Sequence, residues 1–179
     1  MMKSKRDYVL SNEYVAGLFD GEGCVFAYKK RSHGKYGDYK RIILRMKITS
    51  TNFKLLVMLK KWLGSGTLTK KNEKRKRSNG GMYKECYDWT VTGKENMLKF
   101  ISRVKPFVIE KDYPLSLARH FCKTMHPPKS GGKKITAQEH RIREDVLNKL
   151  KGVRTYSEDL SPYVKTVLSG CASAAVPKE

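Results

Sequence analysis

Nine residues near the amino terminus decide the fold of this chain: Val15-Ala16-Gly17-Leu18-Phe19-Asp20-Gly21-Glu22-Gly23. Ser11, a residue type that caps helices, precedes them, and the run from Glu13 to Asp20 is predicted to be helical. The glycines at 21 and 23 are predicted to end that helix, which would leave Glu22 just past its terminus. Small residues at 16 and 17 would let a second helix approach closely.

Two strands are predicted directly after these glycines. Cys24 to Lys30 and Tyr39 to Ser50 are joined by a polar segment and should form a long hairpin. In the second strand the apolar residues at even positions from Ile42 to Ile48 alternate with mainly basic ones. This is the period-two pattern of a half-buried sheet, so one face is predicted to be core and the other largely cationic.

The same order of elements follows further along the chain. A helix is predicted to end at Leu63, and a second hairpin is predicted over 67–92. Helices are then predicted over 95–104, 109–125 and 137–150, and Thr136 with Glu139 forms a capping box for the last one. The prediction is an α+β fold, αββαββα plus C-terminal helices, in which both hairpins form one antiparallel four-stranded sheet packed against helices.

Basic residues far outnumber acidic ones. The 179 residues include 38 Lys and Arg against 17 Asp and Glu, and the formal charge is +21. This surplus favours a polyanionic partner, and DNA, RNA, a ribosome or an acidic membrane surface would each satisfy it. No apolar run approaches the roughly 20 residues needed to span a bilayer, and the first residues lack an apolar signal core, so we expect an intracellular protein without membrane association.

The cysteines give no indication of a metal site or a disulfide framework. The four residues, Cys24, Cys86, Cys122 and Cys171, are widely scattered and contain no CxxC pair. Reduced thiols are therefore expected.

The stretch 15–23 closely resembles the LAGLIDADG signature of homing endonucleases and departs from it conservatively at its first, fifth, seventh and eighth positions. The resemblance covers roughly residues 11 to 125. Because a single copy of the signature occurs, it points to the single-motif type, which implies a homodimer and a pseudo-palindromic target. It implies a saddle-shaped sheet over the DNA major groove and a dimer interface formed by Val15, Ala16, Gly17 and Phe19.

The resemblance also implies a metal-dependent site. In the family the acidic residue at the eighth position of the signature binds metal, which assigns Glu22 here, with the Gly21 carbonyl as a weaker ligand. Two such carboxylates meeting at a dimer axis repel each other unless divalent cations bind, and Mg²⁺ suits oxygen ligands. Mn²⁺ is expected to substitute, and Ca²⁺ is expected to bind without supporting cleavage. Hydrolysis of a phosphodiester needs no organic cofactor.

Three further residues complete the predicted catalytic set. Lys111, shortly after Lys105-Pro106-Phe107, resembles the family's active-site base and would stabilise charge on the phosphate. Ser50 aligns with a position that often orders solvent, and Lys54, one turn into the following helix, is a candidate neighbour of the scissile phosphate.

The cationic face of the sheet is expected to contact DNA. Arg and Lys favour guanine edges in the major groove, and many of the basic residues would touch only phosphate. The predicted DNA-binding residues are Phe26, Tyr28, Lys30, Arg41, Arg45, Lys47, Lys70, Lys71, Arg75, Arg77, Lys84, Asp88 and Thr90.

The function implied is site-specific cleavage of both DNA strands, leaving short 3′ overhangs. The alternatives are an RNA maturase or a non-cleaving nucleic-acid-binding module of the same fold, and a generic basic RNA-binding protein, which would leave the signature unexplained. A maturase should stimulate splicing without needing Glu22, whereas a simple binder should show no metal-dependent nicking.

The chain is predicted to comprise a basic arm (1–10), an endonuclease domain (11–152) and a partly flexible tail (153–179). The resemblance suggests an intron-encoded origin in an organelle (chloroplast or mitochondrion) or in a prokaryotic cytoplasm.

Overall fold

The computed structural model describes residues 9–34, 37–71, 84–126 and 135–153. The elements are α1 (Asn12–Glu22), β1 (Gly23–Gly34), β2 (Gly37–Ser50), α2 (Phe53–Leu63), β3 (Thr67–Lys71), β4 (Cys86–Val91), α3 (Lys94–Val104), α4 (Asp112–Lys123) and α5 (Ala137–Gly152). The predicted α+β order is confirmed. Most of the predicted arm and tail lies outside the described residues.

The four strands form one antiparallel sheet in the order β1-β2-β4-β3, in which each predicted hairpin is a pair of neighbouring strands. Gly23 pairs with Ile48, Ile48 pairs with Trp89, and Trp89 pairs with Leu68. The carboxyl end of β2 therefore lies beside the amino end of β1, where α1 enters the sheet.

The sheet has a core face and a polar face. Cross-strand partners share a face, and the buried residues Val25, Leu44, Met46, Ile48 and Trp89 define the core face. The other residues of the same strands define the polar face, which carries Cys24, Phe26, Tyr28, Lys30, Arg41, Ile43, Arg45, Lys47, Thr49, Thr67, Thr69, Lys71, Cys86, Asp88 and Thr90. The predicted separation into an apolar and a largely cationic face is confirmed.

Aromatic residues join α1 to the sheet. The ring of Phe100 lies 5.0 Å from the ring of Phe19 and 5.9 Å from that of Trp89, with edge-to-face geometry in both pairs. All three side chains are almost fully buried. Helix α1 is thus fixed on the core through Phe19, which orients the end of the helix that leads into β1.

Helix α1 ends two residues later than predicted. Ser11 caps its start and accepts a hydrogen bond from the Tyr14 amide at 3.2 Å, as expected, but the helix continues through Gly21 and Glu22 to the C-cap Gly23. A Cβ at Gly23 would lie 2.3 Å from the Phe19 carbonyl oxygen, whereas one at Gly21 would meet nothing within 4 Å. The close approach at Gly23 explains why glycine is needed where the chain leaves the helix, and Glu22 belongs to the last helical turn.

The carboxyl-terminal helix is tied to α4 by a buried arginine. Arg143 donates from Nε to the Thr124 hydroxyl at 2.8 Å and from a terminal nitrogen to the Thr124 carbonyl. The predicted capping box of Thr136 and Glu139 is present at the start of α5. None of the described helices is both long and apolar enough to cross a membrane.

Candidate active site and nucleic-acid interface

The carboxyl end of α1 carries two acidic residues in an unfavourable position. Asp20 and Glu22 lie in the last turn, where the helix dipole disfavours negative charge, and no basic residue of the helix offsets them. Glu22 is exposed, and no described residue forms a hydrogen bond or an ion pair with its carboxylate. Its carboxylate is therefore free to bind a ligand and does not stabilise the helix.

Asp20 has a structural role. Its carboxylate accepts hydrogen bonds from the backbone amides of Ile109 at 2.7 Å and Lys111 at 3.0 Å. These bonds fix the loop between α3 and α4 against the end of α1. The two acids therefore have different roles: the Asp20 carboxylate is hydrogen-bonded within the chain, whereas no described residue binds the Glu22 carboxylate.

Lys111 lies at the same end of α1 as Glu22. Its ammonium group donates to the Asp20 carbonyl at 2.7 Å, which satisfies one of the carbonyls left unpaired at a helix carboxyl terminus. Lys111 occupies the N-cap position of α4, so the predicted start of that helix at Ile109 is too early. Asp20 holds both the backbone and the side chain of Lys111 at the helix end that carries Glu22.

Ser50 also lies at this end of the sheet. Gly23 is paired with Ile48. Glu22, just before Gly23, and Ser50, two residues after Ile48, therefore lie at the same end of the β1–β2 pair. The Ser50 hydroxyl accepts a hydrogen bond from the Asn52 amide at 3.0 Å, while Asn52 caps α2 through the Leu55 amide. The serine thus shapes the turn into α2.

The described contacts do not bring Lys54 to Glu22. Lys54 is exposed and lines a cavity with Ser11, Tyr14 and Met58, at the amino-terminal end of α1. Tyr14 and Glu22 lie about 12 Å apart along the helix.

The predicted dimer interface is wrong for three of its four residues. Val15, Ala16 and Phe19 are fully buried in the core of the same chain, so they present no surface to a partner. They form the stripe of α1 that packs on the sheet. Gly17 alone of the four is exposed, and a Cβ there would meet nothing within 4 Å.

The polar face combines aromatic rings with cations along β1 and β2. The rings of Phe26 and Tyr28 stack with centroids 6.1 Å apart. The Arg45 guanidinium lies 5.4 Å from the Tyr28 centroid, and the Lys47 ammonium lies 5.8 Å from the Phe26 centroid. Lys30 and Arg41 pair at the far end of the face, about 27 Å from Thr49 at strand rise.

Asp88 and Thr90 occupy the β4 part of this face. The Asp88 carboxylate accepts from the Thr49 hydroxyl at 2.7 Å and from the Lys47 ammonium at 3.2 Å. Thr90 pairs across the sheet with Lys47 and with Thr67. Thr49, Thr67 and Thr69 were missed by sequence reasoning, although Thr49 shares the odd-numbered positions of Arg45 and Lys47.

Lys70 and Lys71 were both predicted to bind DNA, but they lie on different faces of the sheet. Lys71 pairs with Cys86 on the polar face, but Lys70 pairs with Tyr87 on the core face and binds Glu85. The hydrogen bond to Glu85 raises the pKa of Lys70. The carboxylate of Glu85 also offsets the charge of Lys70 within the chain. Lys84 is exposed just before β4. Arg75 and Arg77 lie outside the described residues.

No group of three or more His, Cys, Asp or Glu side chains suited to a metal ion occurs within the described part of one chain. Cys122 packs in the core, since it is buried and its Sγ lies 3.9 Å from the Met97 sulfur. Burial raises the pKa of the Cys122 thiol to about 11.

A family model for the LAGLIDADG endonuclease matches residues 15–107, slightly more than half of the chain. The chain belongs to the LAGLIDADG endonuclease family. The matched segment runs from α1 to the loop after α3, so it includes the Glu22 turn and the whole described sheet.

Solved LAGLIDADG structures share this fold. The homing endonuclease I-CvuI, in complex with the I-CreI target in the presence of Mg²⁺, matches with a TM-score of 0.60 at 16% identity over 92% of this chain and 96% of that chain. The archaeal intron-encoded endonuclease I-Vdi141I in complex with DNA matches with a TM-score of 0.60 at 19% identity over 88% and 92%. The meganuclease I-SmaMI, bound to uncleavable DNA, matches with a TM-score of 0.56 at 19% identity over 83% of this chain and 47% of that chain. No match was found among curated proteins.

Proposed function

We propose that this protein is a site-specific double-strand DNA endonuclease that works as a homodimer on a long pseudo-palindromic target. It hydrolyses phosphodiesters with Mg²⁺ and leaves short 3′ overhangs. One observation carries the proposal: an unpartnered carboxylate, Glu22, and a held lysine, Lys111, share one end of α1 beside a cationic sheet face. The family membership supplies the class of reaction.

The homodimer is supported by the exposed side of α1. Tyr14, Gly17 and Gly21 follow helical spacing on this side, and a Cβ at either glycine would meet nothing within 4 Å. Exposed Phe107 and Ile109 lie in the loop that Asp20 holds at the carboxyl end of the helix. The α1 helix of a second chain could pack closely against the two glycines. The same contact would bury the exposed apolar side chains of Phe107 and Ile109.

The lengths of solved relatives agree with a dimer of one-motif chains. The chain spans nearly all of I-CvuI but about half of I-SmaMI. A protein with one copy of the signature needs a second chain to supply a second Glu22. In a symmetric dimer the two carboxylates would lie at equivalent positions about the axis.

The residues present fit a divalent metal. Glu22 offers oxygen ligands without a competing cation among the described residues, and Gly21 leaves open space beside it. One chain supplies a single carboxylate, so the Glu22 residues of both subunits would hold the ion together with phosphate oxygens and, more weakly, the Gly21 carbonyl. A bound Mg²⁺ would supply Lewis acidity and a more acidic water at the phosphate.

The chain's own residues would contribute orientation and charge. One proton of the Lys111 ammonium is directed to the Asp20 carbonyl, which leaves two donors for a phosphate oxygen or a solvent molecule. Because the backbone and side chain of Lys111 are both held by Asp20, the charge is preorganised, which is the condition for strong transition-state stabilisation. Ser50 would order solvent at the edge of this site.

DNA recognition would use the polar face. Its cations lie on strands, spaced along about 27 Å of β2, which corresponds to roughly eight base pairs per subunit. Lys30 and Arg41 at the far end are exposed and suit phosphate contacts, while Arg45 and Lys47 are half-buried against aromatic rings and suit base edges.

The test is a selection for cleaved molecules from a randomised duplex library in Mg²⁺. Wild type is compared with Glu22→Gln and with Glu13→Gln, a matched control at the opposite end of the same helix, and the binding selection is repeated in Ca²⁺. We expect wild type and Glu13→Gln to cut one near-palindromic site and Glu22→Gln to bind it uncut. Binding by folded wild type without cutting any sequence would contradict the proposal and favour a maturase or a binding module.

A further inference from the structure

Asp88 is an acidic residue on a surface otherwise suited to phosphates. Of the described side chains on the polar face it alone carries a negative charge, and that face also bears Lys30, Arg41, Arg45, Lys47 and Lys71. The Asp88 side chain is 14% exposed, so it is partly withdrawn from solvent. An acid here weakens attraction to the DNA backbone.

The carboxylate is held in one orientation. Its Oδ1 accepts from the Thr49 hydroxyl at 2.7 Å and its Oδ2 accepts from the Lys47 ammonium at 3.2 Å. The Lys47 ammonium also lies 5.8 Å from the centre of the Phe26 ring. A donor and an acceptor are thus fixed side by side on the polar face.

We infer that Lys47 and Asp88 together read one G·C base pair in each half of the DNA target, an inference that rests on the proposed function. Lys47 directs one of its three protons to Asp88 and retains two for guanine O6 and N7. Asp88 retains lone pairs on both oxygens and accepts from the cytosine N4 amino group. The donor and acceptor order of the residue pair matches that of the base pair.

The same order rejects the other base pairs. A reversed C·G pair would bring the cytosine amino group to Lys47 and the guanine acceptors to Asp88, so both contacts would become repulsive. An A·T pair would offer Lys47 one acceptor in place of two and would bring thymine O4 towards Asp88. Discrimination is therefore strongest against the reversed pair.

The register sets where this base pair lies. Lys47 is paired with Cys24, two residues beyond Glu22 along the chain, which is about 7 Å at strand rise. At 3.4 Å per base pair this is roughly two base pairs from the Glu22 end. We expect the selected position in the inner part of each half-site.

The experiment is a binding selection in Ca²⁺ from a library randomised around the target recovered with wild type. Asp88→Asn keeps the shape of the side chain and removes its charge. Glu85→Gln is the matched control, because Glu85 lies close to Asp88 along the chain, binds Lys70 and Tyr87 on the core face, and loses the same charge. Lys47→Gln tests the other half of the pair.

Wild type and Glu85→Gln should prefer G·C over C·G by roughly 10- to 100-fold at one symmetric pair of inner positions. Asp88→Asn and Lys47→Gln should each reduce that preference to below about threefold there and leave the other positions unchanged. Asp88→Asn should bind random duplex as tightly as wild type or more tightly, since a negative charge is removed.

Selective binding by wild type with an unchanged base profile in Asp88→Asn and Lys47→Gln would overturn this inference and leave the proposed function intact. The loss of preference at two different base pairs would also overturn it, since the two residues would then not act together. Failure of wild type to select any duplex would overturn both the inference and the proposed function.

Discussion

At the scale of single residues, the neighbouring acids Asp20 and Glu22 have different roles in the site. Asp20 is bonded to two backbone amides of the α3–α4 loop, while Glu22 has no partner among the described residues. A negative charge at a helix carboxyl terminus is destabilising. The chain offsets this cost at Asp20 and leaves it uncompensated at Glu22, as expected of a residue kept for ligand binding.

Replacing Lys111 by methionine should separate catalysis from binding. Removal of a preorganised positive group should reduce kcat by roughly 100-fold or more, with a change of less than about threefold in DNA affinity measured in Ca²⁺. Single-turnover cleavage and equilibrium binding are the two measurements. Unchanged kcat together with a lower Tm would show that Lys111 only caps α1.

Replacing Asp20 by alanine should lower the free energy of unfolding. Two loop amides would lose a charged acceptor, at a cost of about 1–3 kcal/mol, while the Asp20 carbonyl that binds the Lys111 ammonium would remain. Urea unfolding measures the change. Asp112→Ala is the control, because the half-exposed Asp112 carboxylate binds, among the described residues, the Lys105 ammonium at 2.5 Å and should alter stability much less. Equal effects of the two variants would contradict the role given to Asp20.

At the scale of elements, α1 has two sides with opposite tolerance of substitution. Its buried stripe of Val15, Ala16 and Phe19 packs on the sheet, whereas Gly17 and Gly21 face open space. Gly23 is different again, because a Cβ there would collide with Phe19. Within one motif, Gly23 is therefore required by the fold of the single chain, whereas Gly17 and Gly21 are not and are proposed to contact a second chain.

Gly17→Arg should break the dimer without unfolding the chain. The monomer has room for the new side chain, and replacing a mid-helix glycine should stabilise the helix by about 0.5–1 kcal/mol. Light scattering after gel filtration should give a monomer with wild-type circular dichroism and no cleavage activity. Gly23→Ala, the matched comparison, should instead lower Tm. A Gly17→Arg protein that remains dimeric would contradict the proposed interface.

The sequence was sufficient to predict element order and most of the sheet faces, because the period-two pattern of Ile42 to Ile48 fixes which residues are core. It was insufficient for Lys70, since Thr67 to Lys71 lacks an apolar alternation and only pairing with Tyr87 decides the face. It also failed for Ala16, because small size permits helix contact but does not reveal which side of α1 is already buried. The bonds between Asp20 and residues 109 and 111 join positions that no local pattern connects.

At the scale of the whole molecule, the formal charge of +21 is unevenly distributed over the two faces of the sheet. Lys30, Arg41, Arg45 and Lys47 share the polar face, whereas on the other face Lys29 is paired with Glu144 and Lys70 with Glu85. Arg31 and Lys40 also lie on that other face, at the end of the β1–β2 pair far from Glu22. Nearer to Glu22, available positive charge is therefore concentrated on the polar face, which favours one orientation on a phosphate backbone.

DNA affinity should fall steeply with salt. If the dimer neutralises about 6–10 phosphates, affinity should drop by roughly 10³–10⁵ between 50 and 200 mM salt. Arg41→Gln should make the slope of log Kd against log salt shallower by about 1 for each phosphate that Arg41 neutralises in wild type, with unchanged base preference. Lys70→Gln, on the core face, should leave the slope unaltered. A reduced slope in Lys70→Gln and an unchanged one in Arg41→Gln would contradict the assignment of the faces.

The central claim is that Glu22 makes this fold a metal-dependent nuclease. The most direct measurement is strand-resolved, single-turnover cleavage of the selected target by wild type and by Glu22→Gln, with Mg²⁺ and with Ca²⁺. The prediction is that wild type cuts both strands with Mg²⁺ but not with Ca²⁺, leaving short 3′ overhangs. Glu22→Gln should bind the target with similar affinity, have an equal or higher Tm and cut neither strand. Cleavage by Glu22→Gln at the wild-type rate would contradict the claim.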